Sequence, residues 1–429
     1  MNNPVEIFGK YTRLLGDTYS FHFGGVKNAI VTSNPDIIQH VLQKNYTNYQ
    51  KSEIQVKRLG HFLGPGLLTS HGKYWLTQRR LVQEGFKKDK LVTYTKIMDQ
   101  VVSEAFEEMD IKADEQVLDI ASFLKELTFK MVMGTLFSNS LNENELKTIG
   151  RTISTVQQFI LKTIVQPYLN PWFKVSGILR KYENLTKESD KIIMGIVNNR
   201  RNVKETNSDM LQTLLDAKYV ETGKGMTDEQ IQMESMQLIV AGHETTSNAL
   251  SWILYLLTQH PDSFNKVKEE IHILGDIGFD VQQYDKLEYT LQVVEESLRL
   301  YPPFWMIDRV SMEDDEVMGY FIPKNSMVLV FIHGVQHASE YWKDPEKFNP
   351  DRFSKLMVKN HLPFTHLPFG GGPRVCIGGS YAMQQMLLIL TKMIRRYDIS
   401  LAQYNPAEIG PMIILRPKGK ISMNFKRIK

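Results

Sequence analysis

The sequence predicts a mainly α-helical chain with small β-sheets, in the α+β class. Apolar residues recur at helical spacing along most of its 429 residues, whereas alternating β-branched and aromatic residues are confined to short pieces. The longest helical pattern begins with a capping box at Thr227 and Gln230 and can run to His260, where Pro261 ends it. At 1.5 Å per residue, this helix would be about 50 Å long and would cross the whole molecule.

Shorter patterns predict the other elements. In chain order, they are a β-hairpin at 19–32 around Gly24 and Gly25, a short helix at 36–42, a helix at 74–84, a helix that begins at 287 and ends before Pro302, strands at 319–323 and 327–332, and a C-terminal hairpin at 412–423. The polar stretch at 198–209 predicts an exposed connection between helices. Because the sequence has no linker rich in Ser and Gly or in Pro, and no internal repeat, we expect residues 1–429 to form a single domain.

Composition excludes several classes of protein. The apolar fraction of 42% and the charged fraction of 23% are ordinary for a globular protein. A net charge of +3 is too small to suggest a nucleic-acid partner, and we expect none. No run of about 18 apolar residues occurs, so we expect no membrane span. The single cysteine excludes an internal disulfide framework and fits a reducing, cytoplasmic location.

That cysteine, Cys376, lies in the glycine-rich segment Phe369–Gly378, directly before an apolar helical pattern. Glycines let a backbone pass close to a flat and bulky group. A sulfur at a helix start faces unpaired N–H groups, which stabilise a thiolate, and a thiolate is a good axial ligand for haem iron. The alternative is a buried free cysteine that acts as a small hydrophobic residue.

Five positions of this segment match a known pattern. Phe369, Gly372, Arg374, Cys376 and Gly378 fit Phe-x-x-Gly-x-Arg-x-Cys-x-Gly, and the segment resembles the haem-binding segment of the cytochromes P450. The resemblance implies the cytochrome P450 fold, with its long central helix over a haem b group. It also implies that Cys376 is the proximal iron ligand, that Arg374 reaches a haem propionate and that Phe369 packs beside the sulfur.

The middle of the predicted long helix resembles a second segment of the family, the oxygen-binding segment. Its residues are Ala241, Gly242, Glu244 and Thr245. The resemblance implies that Ala241 and Gly242 lie beside the haem, where Gly242 lets the helix loosen, and that Glu244 and Thr245 handle protons as catalytic residues. A hydroxyl that holds water and an acid near bulk solvent suit the delivery of protons to dioxygen. We interpret His243 as a structural residue rather than an iron ligand.

A third match is structural. Glu296 and Arg299 share a helix face and precede the segment Leu300–Pro303. Such a pair alone indicates little, because most are exposed pairs of small energetic effect. Together with Arg352, the pair resembles the Glu-x-x-Arg network of the family, which would form a buried, bidentate structure beneath the haem.

The fourth match concerns the haem propionates. Trp75 and Arg79 lie four residues apart and resemble the Trp-x-x-x-Arg helix of the family, whose side chains bond a propionate. An indole N–H and a guanidinium both suit carboxylates. His71 and Arg309 occupy family positions that often have the same role. For each residue alone, ordinary packing or a surface charge is the alternative.

The resemblance also places side chains over the distal face of the haem. These candidate pocket residues are Phe62, Leu63, Phe159, Leu238, Ala241, Trp305, Met306 and Met412. An apolar, aromatic lining favours a hydrophobic substrate, although aromatic rings also stack on sugars. A fatty acid, a terpenoid or carotenoid, and a methoxy sugar all remain candidates, so the reaction could be C–H hydroxylation or oxidative O-demethylation. Core packing is the alternative for each of these side chains.

Electrons would come from NAD(P)H through a separate protein, because the chain carries no flavin or iron–sulfur module. We expect a ferredoxin or flavodoxin with its reductase as partner, and a monomeric enzyme. An acidic partner would dock by charge on a basic patch made of Lys87, Lys88, Lys90, Lys392, Arg395 and Arg396. A solvated lysine-rich face is the alternative.

Three functions remain open at this stage. The first is a monooxygenase that uses dioxygen and two electrons. The second is a peroxide-driven haem-thiolate peroxygenase, which would tend to lack an acid–alcohol pair such as Glu244 and Thr245. The third is a non-catalytic haem carrier or sensor, which would need neither that pair nor an apolar distal pocket.

Overall fold

The structure, a computed structural model, describes residues 3–23, 27–112, 115–138, 140–202, 207–275, 281–403, 407–411 and 413–428. The chain divides into two compact units. The first unit contains Met1–Gln50, Val102–Thr128 and Thr245–Lys429, and the second contains Lys51–Val101 and Phe129–Glu244.

Helices form most of the described chain, as predicted. They are α1 (Pro4–Leu15), α2 (Pro35–Gln39), α3 (Gly60–Leu63), α4 (Gly72–Gln83), α5 (Lys88–Lys112), α6 (Ile120–Phe137), α7 (Glu143–Val165), α8 (Asn170–Val175), α9 (Ile178–Asn202), α10 (Met210–Asp216), α11 (Asp228–Gln259), α12 (Pro261–Ile273), α13 (Glu288–Leu300), α14 (Ile332–Gln336) and α15 (Gly379–Arg396). Among the described residues, none of these helices is long and apolar enough to span a membrane.

The strands are short. They are β1 (Thr18–Phe23), β2 (Lys27–Thr32), β3 (Tyr49–Gln50), β4 (Glu115–Asp119), β5 (Ile307–Ser311), β6 (Asp315–Val317), β7 (Tyr320–Ile322), β8 (Met327–Val330), β9 (Tyr397–Leu401), β10 (Ile409–Pro411), β11 (Leu415–Pro417) and β12 (Ser422–Arg427). Together with the helices, they confirm the predicted fold class.

The first unit is built on a five-stranded sheet in the order β1-β2-β8-β5-β3. Only β2 and β8 of this sheet pair in parallel. The hairpin of β1 and β2 confirms the prediction for residues 19–32, although Gly24 and Gly25 lie outside the described residues. Apolar side chains of α2, β8 and α14 form the core beside this sheet. A three-stranded sheet, β4-β12-β9, and the two hairpins β6-β7 and β10-β11 complete the unit.

The second unit is helical, and α7 packs against α9 within it. Its apolar cluster includes Phe62, Val156, Phe159, Ile160 and Phe173. The apolar residues of α7 recur every three or four positions, so one face of that helix is buried along its length.

Helix α11 confirms the predicted long helix to within one residue at each end. Its Thr227 hydroxyl accepts a hydrogen bond from Gln230 N at 3.2 Å, and Gln230 Oε1 accepts one from Thr227 N at 2.9 Å. At the other end, Pro261 is the first residue of α12. Because a proline can begin a helix but cannot continue one, the chain turns at His260.

The predicted C-terminal hairpin at 412–423 is wrong in its register. The hairpin joins β10 to β11, and Pro411 pairs with Leu415. Gly419, at φ +83°, follows β11 and redirects the chain. The next strand, β12, then becomes the central strand between β4 and β9. These two partners come from distant parts of the chain, so local sequence could not reveal them.

The expectation of an exposed connection at 198–209 is wrong at both of its charged ends. Arg200 is 8% exposed and Asp209 is fully buried. Arg200 Nη1 and Nη2 donate to the two Asp209 carboxylate oxygens at 3.0 and 2.9 Å. Asp209 also accepts a hydrogen bond from Gln212 N at 3.0 Å and so caps α10. The polar residues of this stretch therefore include a buried ion pair.

Candidate functional site

Cys376 lies at an exposed position between a 3₁₀ turn, Gly372–Arg374, and the start of α15. Its N–H donates to Phe369 O at 2.9 Å, which closes the loop. Gly378 is the N-cap of α15, so Cys376 lies two residues before the N-cap of that helix. The first N–H groups of a helix have no partner within it and stabilise negative charge. The local geometry therefore suits a thiolate, and the buried-cysteine alternative does not hold.

Gly372 is the glycine of this loop that no other residue could replace. Its φ is +68°, and a Cβ atom built there would lie 1.8 Å from the carbonyl oxygen of Leu42. Gly370 also has a positive φ, +74°, but a Cβ atom there would meet nothing within 4 Å. We expected the glycines to admit a flat, bulky group. For Gly372, however, the close neighbour is the backbone of a π-helical turn, His40–Lys44.

The centre of α11 carries a stripe of partly exposed residues. Leu238, Ala241 and Thr245 lie within about 60° of one another around the helix and are partly exposed, as are Gly242 and Glu244. In contrast, residues 246–257 are all buried. A long helix that is buried at one end but accessible along a central stripe leaves room for a ligand beside that stripe.

The region around Gly242 differs from what the resemblance implied. Helix α11 remains α-helical through this position instead of loosening. A Cβ atom at Gly242 would lie 3.1 Å from a methyl group of Val132, so the glycine permits close packing. His243 is buried, lies 2.8 Å through Nδ1 from Ile239 O and packs edge-on against the Phe129 ring. These contacts agree with a structural role for His243.

Of the four propionate partners proposed besides Arg374, Trp75 and Arg79 lie on α4 and His71 occupies its N-cap position. Trp75 is buried, Arg79 is partly exposed and His71 is exposed. Trp75 and Arg79 are four residues apart, so they lie on one side of the helix, whereas the backbone of His71 is extended and precedes the first helical turn.

Arg309, the fourth, lies on β5 and is 7% exposed. Its Nη1 donates to Asp308 O at 2.7 Å, and no carboxylate among the described residues pairs with it. Desolvation by burial lowers the pKa of this guanidinium, although the charge of Asp308 acts in the opposite direction. A buried cation of this kind suits an anionic group of a ligand.

These observations fit a haem group. Cys376 can supply a thiolate to iron, Arg309 and the donors of α4 can meet carboxylates, and the stripe on α11 is accessible. Arg374 is partly exposed at the end of the 3₁₀ turn. The donor set is therefore the one that an iron porphyrin with two propionates requires.

The predicted network of Glu296, Arg299 and Arg352 is present. Arg299 and Glu296 are fully buried, and Arg299 Nε and Nη2 donate to the two Glu296 oxygens at 2.7 and 2.9 Å. Arg352 Nε reaches Glu296 Oε1 at 3.3 Å, and Asn349 N donates to the same oxygen at 2.9 Å. The bidentate pair lies within α13, and the contacts of Asn349 and Arg352 with Glu296 attach α13 to the 3₁₀ turn Pro350–Phe353.

Gln336 extends this network toward the cysteine loop, and the sequence did not indicate it. Arg299 Nη1 donates to Gln336 O at 2.8 Å. The Gln336 amide in turn donates to Arg299 O and accepts from Leu367 N, at 2.9 and 2.7 Å. Leu367 precedes Phe369 by two residues, so the network also positions the segment that leads to Cys376. A lone glutamine on a short helix gives no sequence signal for such a role.

The candidate pocket residues fall into different environments. The Phe159 ring stacks on Tyr182, with centroids 3.9 Å apart, and meets the edge of Phe62. Trp305 packs against Phe8 and Phe331. These contacts favour core packing for the three rings.

For the remaining candidates, the pocket role stays a prediction. Leu63 is buried, and Leu238, Ala241 and Met306 are partly exposed. Met412 lies outside the described residues. Leu415 N, in the β10-β11 hairpin, donates to Pro303 O at 2.8 Å, so this hairpin contacts the segment before Met306.

The predicted basic patch is partly occupied by internal partners. Arg396 forms an ion pair with Asp110, Arg395 donates to Gly275 O, and Lys392 donates to Ser103 Oγ. The three residues lie at the far end of α15, about 20–25 Å along its axis from its first residue. Lys87 pairs with Glu84 in an exposed contact. Lys88 and Lys90 are the patch residues without such a partner among the described residues.

The sequence also missed a buried acid on α11. Glu234 is 1% exposed, and its Oε2 accepts a hydrogen bond from Leu67 N at 3.1 Å. Burial raises the pKa of this carboxyl to about 7, although the bond from Leu67 acts in the opposite direction. Its position seven residues before Ala241, on the same helix face, is the signal that could have revealed it.

Comparisons with known proteins agree with this geometry. Residues 1–425 match the Cytochrome P450 family. Cyclooctat-9-en-7-ol 5-monooxygenase from Streptomyces melanosporofaciens is 29% identical over 384 residues, which cover 87% of this chain and 81% of that protein. Cytokinin hydroxylase from Arabidopsis thaliana is 27% identical over 420 residues, which cover 94% and 80%.

Solved structures agree at the level of the fold. The haem domain of cytochrome P450DA superposes with a TM-score of 0.88 at 21% identity and covers 99% of this chain and 93% of its own. Retinoic acid bound cyanobacterial CYP120A1 gives a TM-score of 0.84 at 25% identity, with coverages of 98% and 93%. Because the family match spans residues 1–425, this chain belongs to the cytochromes P450.

Proposed function

We propose that this protein hydroxylates a C–H bond of a largely apolar organic molecule, or removes a methyl group from a methyl ether by the same chemistry. As a haem-thiolate monooxygenase of its family, it uses haem b, dioxygen and electrons from NAD(P)H that a redox partner delivers. One oxygen atom enters the substrate, and two electrons and two protons convert the other to water. When bound, the haem supplies the iron at which dioxygen is activated.

The central stripe of α11 is the observation that supports this proposal. Thr245 and Glu244 are partly exposed in the middle of a helix that is otherwise largely buried. The Thr245 hydroxyl can hold and donate a proton, and the Glu244 carboxylate can resupply one from solvent. Leu238 and Ala241 flank the pair with apolar surface, which favours an apolar substrate.

We further propose that both units act together as one haem domain, in a monomeric enzyme. The proposed haem-binding residues are Cys376, Arg374, Arg309, Trp75, Arg79 and His71. Met412 stays a proposed pocket residue.

The electron donor in this proposal is an acidic ferredoxin or flavodoxin. Lys88 and Lys90 support its docking, because they keep their charge available, whereas Arg396 is paired with Asp110. Charge reversal in Lys88→Glu should slow reduction by ferredoxin and weaken its dependence on ionic strength. Arg396→Gln should change the reduction rate much less. Equal rates for Lys88→Glu and the parent would exclude docking at Lys88.

Substrate-dependent oxidation of NADH with a ferredoxin and its reductase tests the activity. Thr245→Ala should lower the yield of product per NADH at least about tenfold and divert electrons to hydrogen peroxide, whereas Thr245→Ser should retain most of the yield. Cys376→Ser should lose the thiolate signature of the ferrous–CO spectrum. Turnover with peroxide alone, and none with NADH and partner, would instead identify a peroxygenase.

A further inference from the structure

Two polar side chains of α11 form hydrogen bonds to the same loop, and they differ in how completely their own hydrogen-bonding groups are satisfied. Gln237 and Glu234 lie one turn apart, and both are 1% exposed. Leu67 N donates to Glu234 Oε2 at 3.1 Å, and the next residue, Leu68, donates through N to Gln237 Oε1 at 2.7 Å. Both contacts lie within the second unit.

Gln237 uses all of its hydrogen-bonding groups. Its Nε2 lies 3.1 Å from Gly64 O, 3.2 Å from Thr69 Oγ1 and 3.3 Å from Leu63 O. It therefore holds the loop from both sides. Because Gln237 alone secures the loop so well, loop attachment does not account for a second buried residue that carries a charge.

Glu234 is not satisfied in the same way. Its Oε1 is buried and has no hydrogen-bond partner among the described residues. A buried carboxylate oxygen without a donor costs free energy, about 1–3 kcal/mol or more for a charged group. A donor brought by a ligand would remove this cost.

Glu234 also lies on the helix face that carries the reaction site. It is seven residues from Ala241 and eleven from Thr245, and each of these two residues lies within about 20° of Glu234 around the helix. The axial separations are about 10 Å and 16 Å. Leu238, which is partly exposed, lies between them. An apolar surface thus connects the acid to the acid–alcohol pair.

We infer that Glu234 is a substrate-anchoring residue, whose Oε1 accepts a hydrogen bond from a hydroxyl group of the substrate. The substrate is then an elongated amphipathic alcohol. Its hydroxyl lies at Glu234, its apolar body lies along Leu238, and its reacting carbon lies about 10–16 Å from the anchor. This inference rests on the proposed function and specifies its substrate class.

Decanol and its methyl ether test the anchor, because the ether replaces the hydroxyl hydrogen with a methyl group and both compounds have a suitable length. Calorimetric titration of the haem-loaded protein at pH 8 should show about tenfold tighter binding of the alcohol. In Glu234→Gln, an amide NH₂ replaces the unpaired oxygen Oε1, so the ratio of the affinities for the alcohol and the ether should fall to near one. Glu234→Asp, which keeps the carboxylate, should retain part of the preference.

Gln237→Leu is the matched control, since it loosens the same loop from the same helix. It should weaken both ligands by the same factor and leave the preference intact. The anchor is refuted if Glu234→Gln keeps the parent's preference, or if Gln237→Leu loses the preference equally. Product analysis adds a second measure, because decanol should be oxidised toward its far end and at more scattered positions in Glu234→Gln.

The two proposals can fail separately. If decanol drives NADH oxidation in the parent and in Glu234→Gln with the same affinity and the same product, only the anchor is wrong. If no amphipathic or apolar compound drives NADH oxidation in the parent, the proposed monooxygenase activity is wrong.

Discussion

Two buried glutamates, one in each unit, have opposite environments. Glu296 in the first unit is fully buried and meets two guanidinium groups and a backbone N–H. Glu234 in the second unit is equally buried, but Leu67 N is its one hydrogen-bond donor among the described residues. The Glu296 carboxylate has all of its neighbours in place and has a structural role. The Glu234 carboxylate has one oxygen that no described residue pairs with.

The largest effect on stability is expected when Glu296 loses its main ionic partner and so becomes a poorly compensated buried carboxylate like Glu234. Arg299→Leu removes the bidentate partner and leaves a buried charge with weaker compensation, which should cost about 3–5 kcal/mol of unfolding free energy. Denaturant unfolding of the haem-loaded protein measures this cost, and soluble yield and haem content report it if the variant does not fold. Lys324→Ala, which breaks an exposed pair with Glu313, should change stability by less than about 1 kcal/mol. Similar costs for both variants would contradict the structural role of the network.

The same substitution at the two glutamates should act in opposite directions. Glu296→Gln keeps the shape but leaves Arg299 as a buried cation with a neutral partner. It should therefore destabilise the protein by about 2–4 kcal/mol at pH 8. Glu234→Gln should be neutral or stabilising at the same pH, because it removes a poorly compensated charge. Destabilisation of equal size at both positions would show that Glu234 has compensation beyond Leu67.

Asp209 tests whether the presence of an ionic partner, rather than location in the second unit, decides how much a buried acid contributes to stability. It belongs to the second unit, like Glu234, but it is paired with Arg200 and caps α10. Asp209→Asn should cost about 2–3 kcal/mol, measured by denaturant unfolding against Lys57→Ala, whose exposed pair with Glu53 should matter little. A cost below about 0.5 kcal/mol for Asp209→Asn would mean that saturation does not predict stability in this unit.

The smallest effect is a pH dependence at Glu234. In the unfolded chain this carboxyl ionises near its ordinary pKa of 4.5, whereas burial raises its pKa to about 7 in the folded protein. The folded state therefore binds more protons between these values, and the residue's contribution to stability falls as pH rises through this window. Relative to the parent, Glu234→Gln should gain about 1–3 kcal/mol between pH 4 and pH 8.

The free energy of unfolding of the parent and of Glu234→Gln, measured at pH 4 and pH 8, gives this difference. The contributions of the other titrating groups cancel, because both proteins contain them. Gln237→Leu should show a constant offset across the same range, because it leaves the acid in place. A constant offset for Glu234→Gln as well would mean that the folded carboxyl titrates normally.

The parts that were predictable from sequence share a local origin. The ends of α11 follow from the capping box at Thr227 and from Pro261, which act within a few residues. The cysteine loop and the pair of Glu296 and Arg299 follow from short motifs, so their resemblance to one family was sufficient. The class of chemistry is therefore predictable from the sequence alone, because the residues that it requires lie in contiguous segments.

Other parts depend on distant residues. The place of β12 depends on β4 and β9, and the burial of Arg200 and Asp209 depends on how α9 and α10 pack. Gln336 acquires its role only because Arg299 and Leu367 approach it from elsewhere in the chain. Glu234 was overlooked because an acid near a helix start ordinarily faces solvent.

The sequence by itself thus determined the fold class, the long helix and the segments that resemble the haem-binding and oxygen-binding segments of the family. Only the tertiary structure decided which charged side chains are buried and which of those are satisfied. The physical reason is that the cost of burying a charge depends on every neighbour that supplies a hydrogen bond, and those neighbours are assembled by folding.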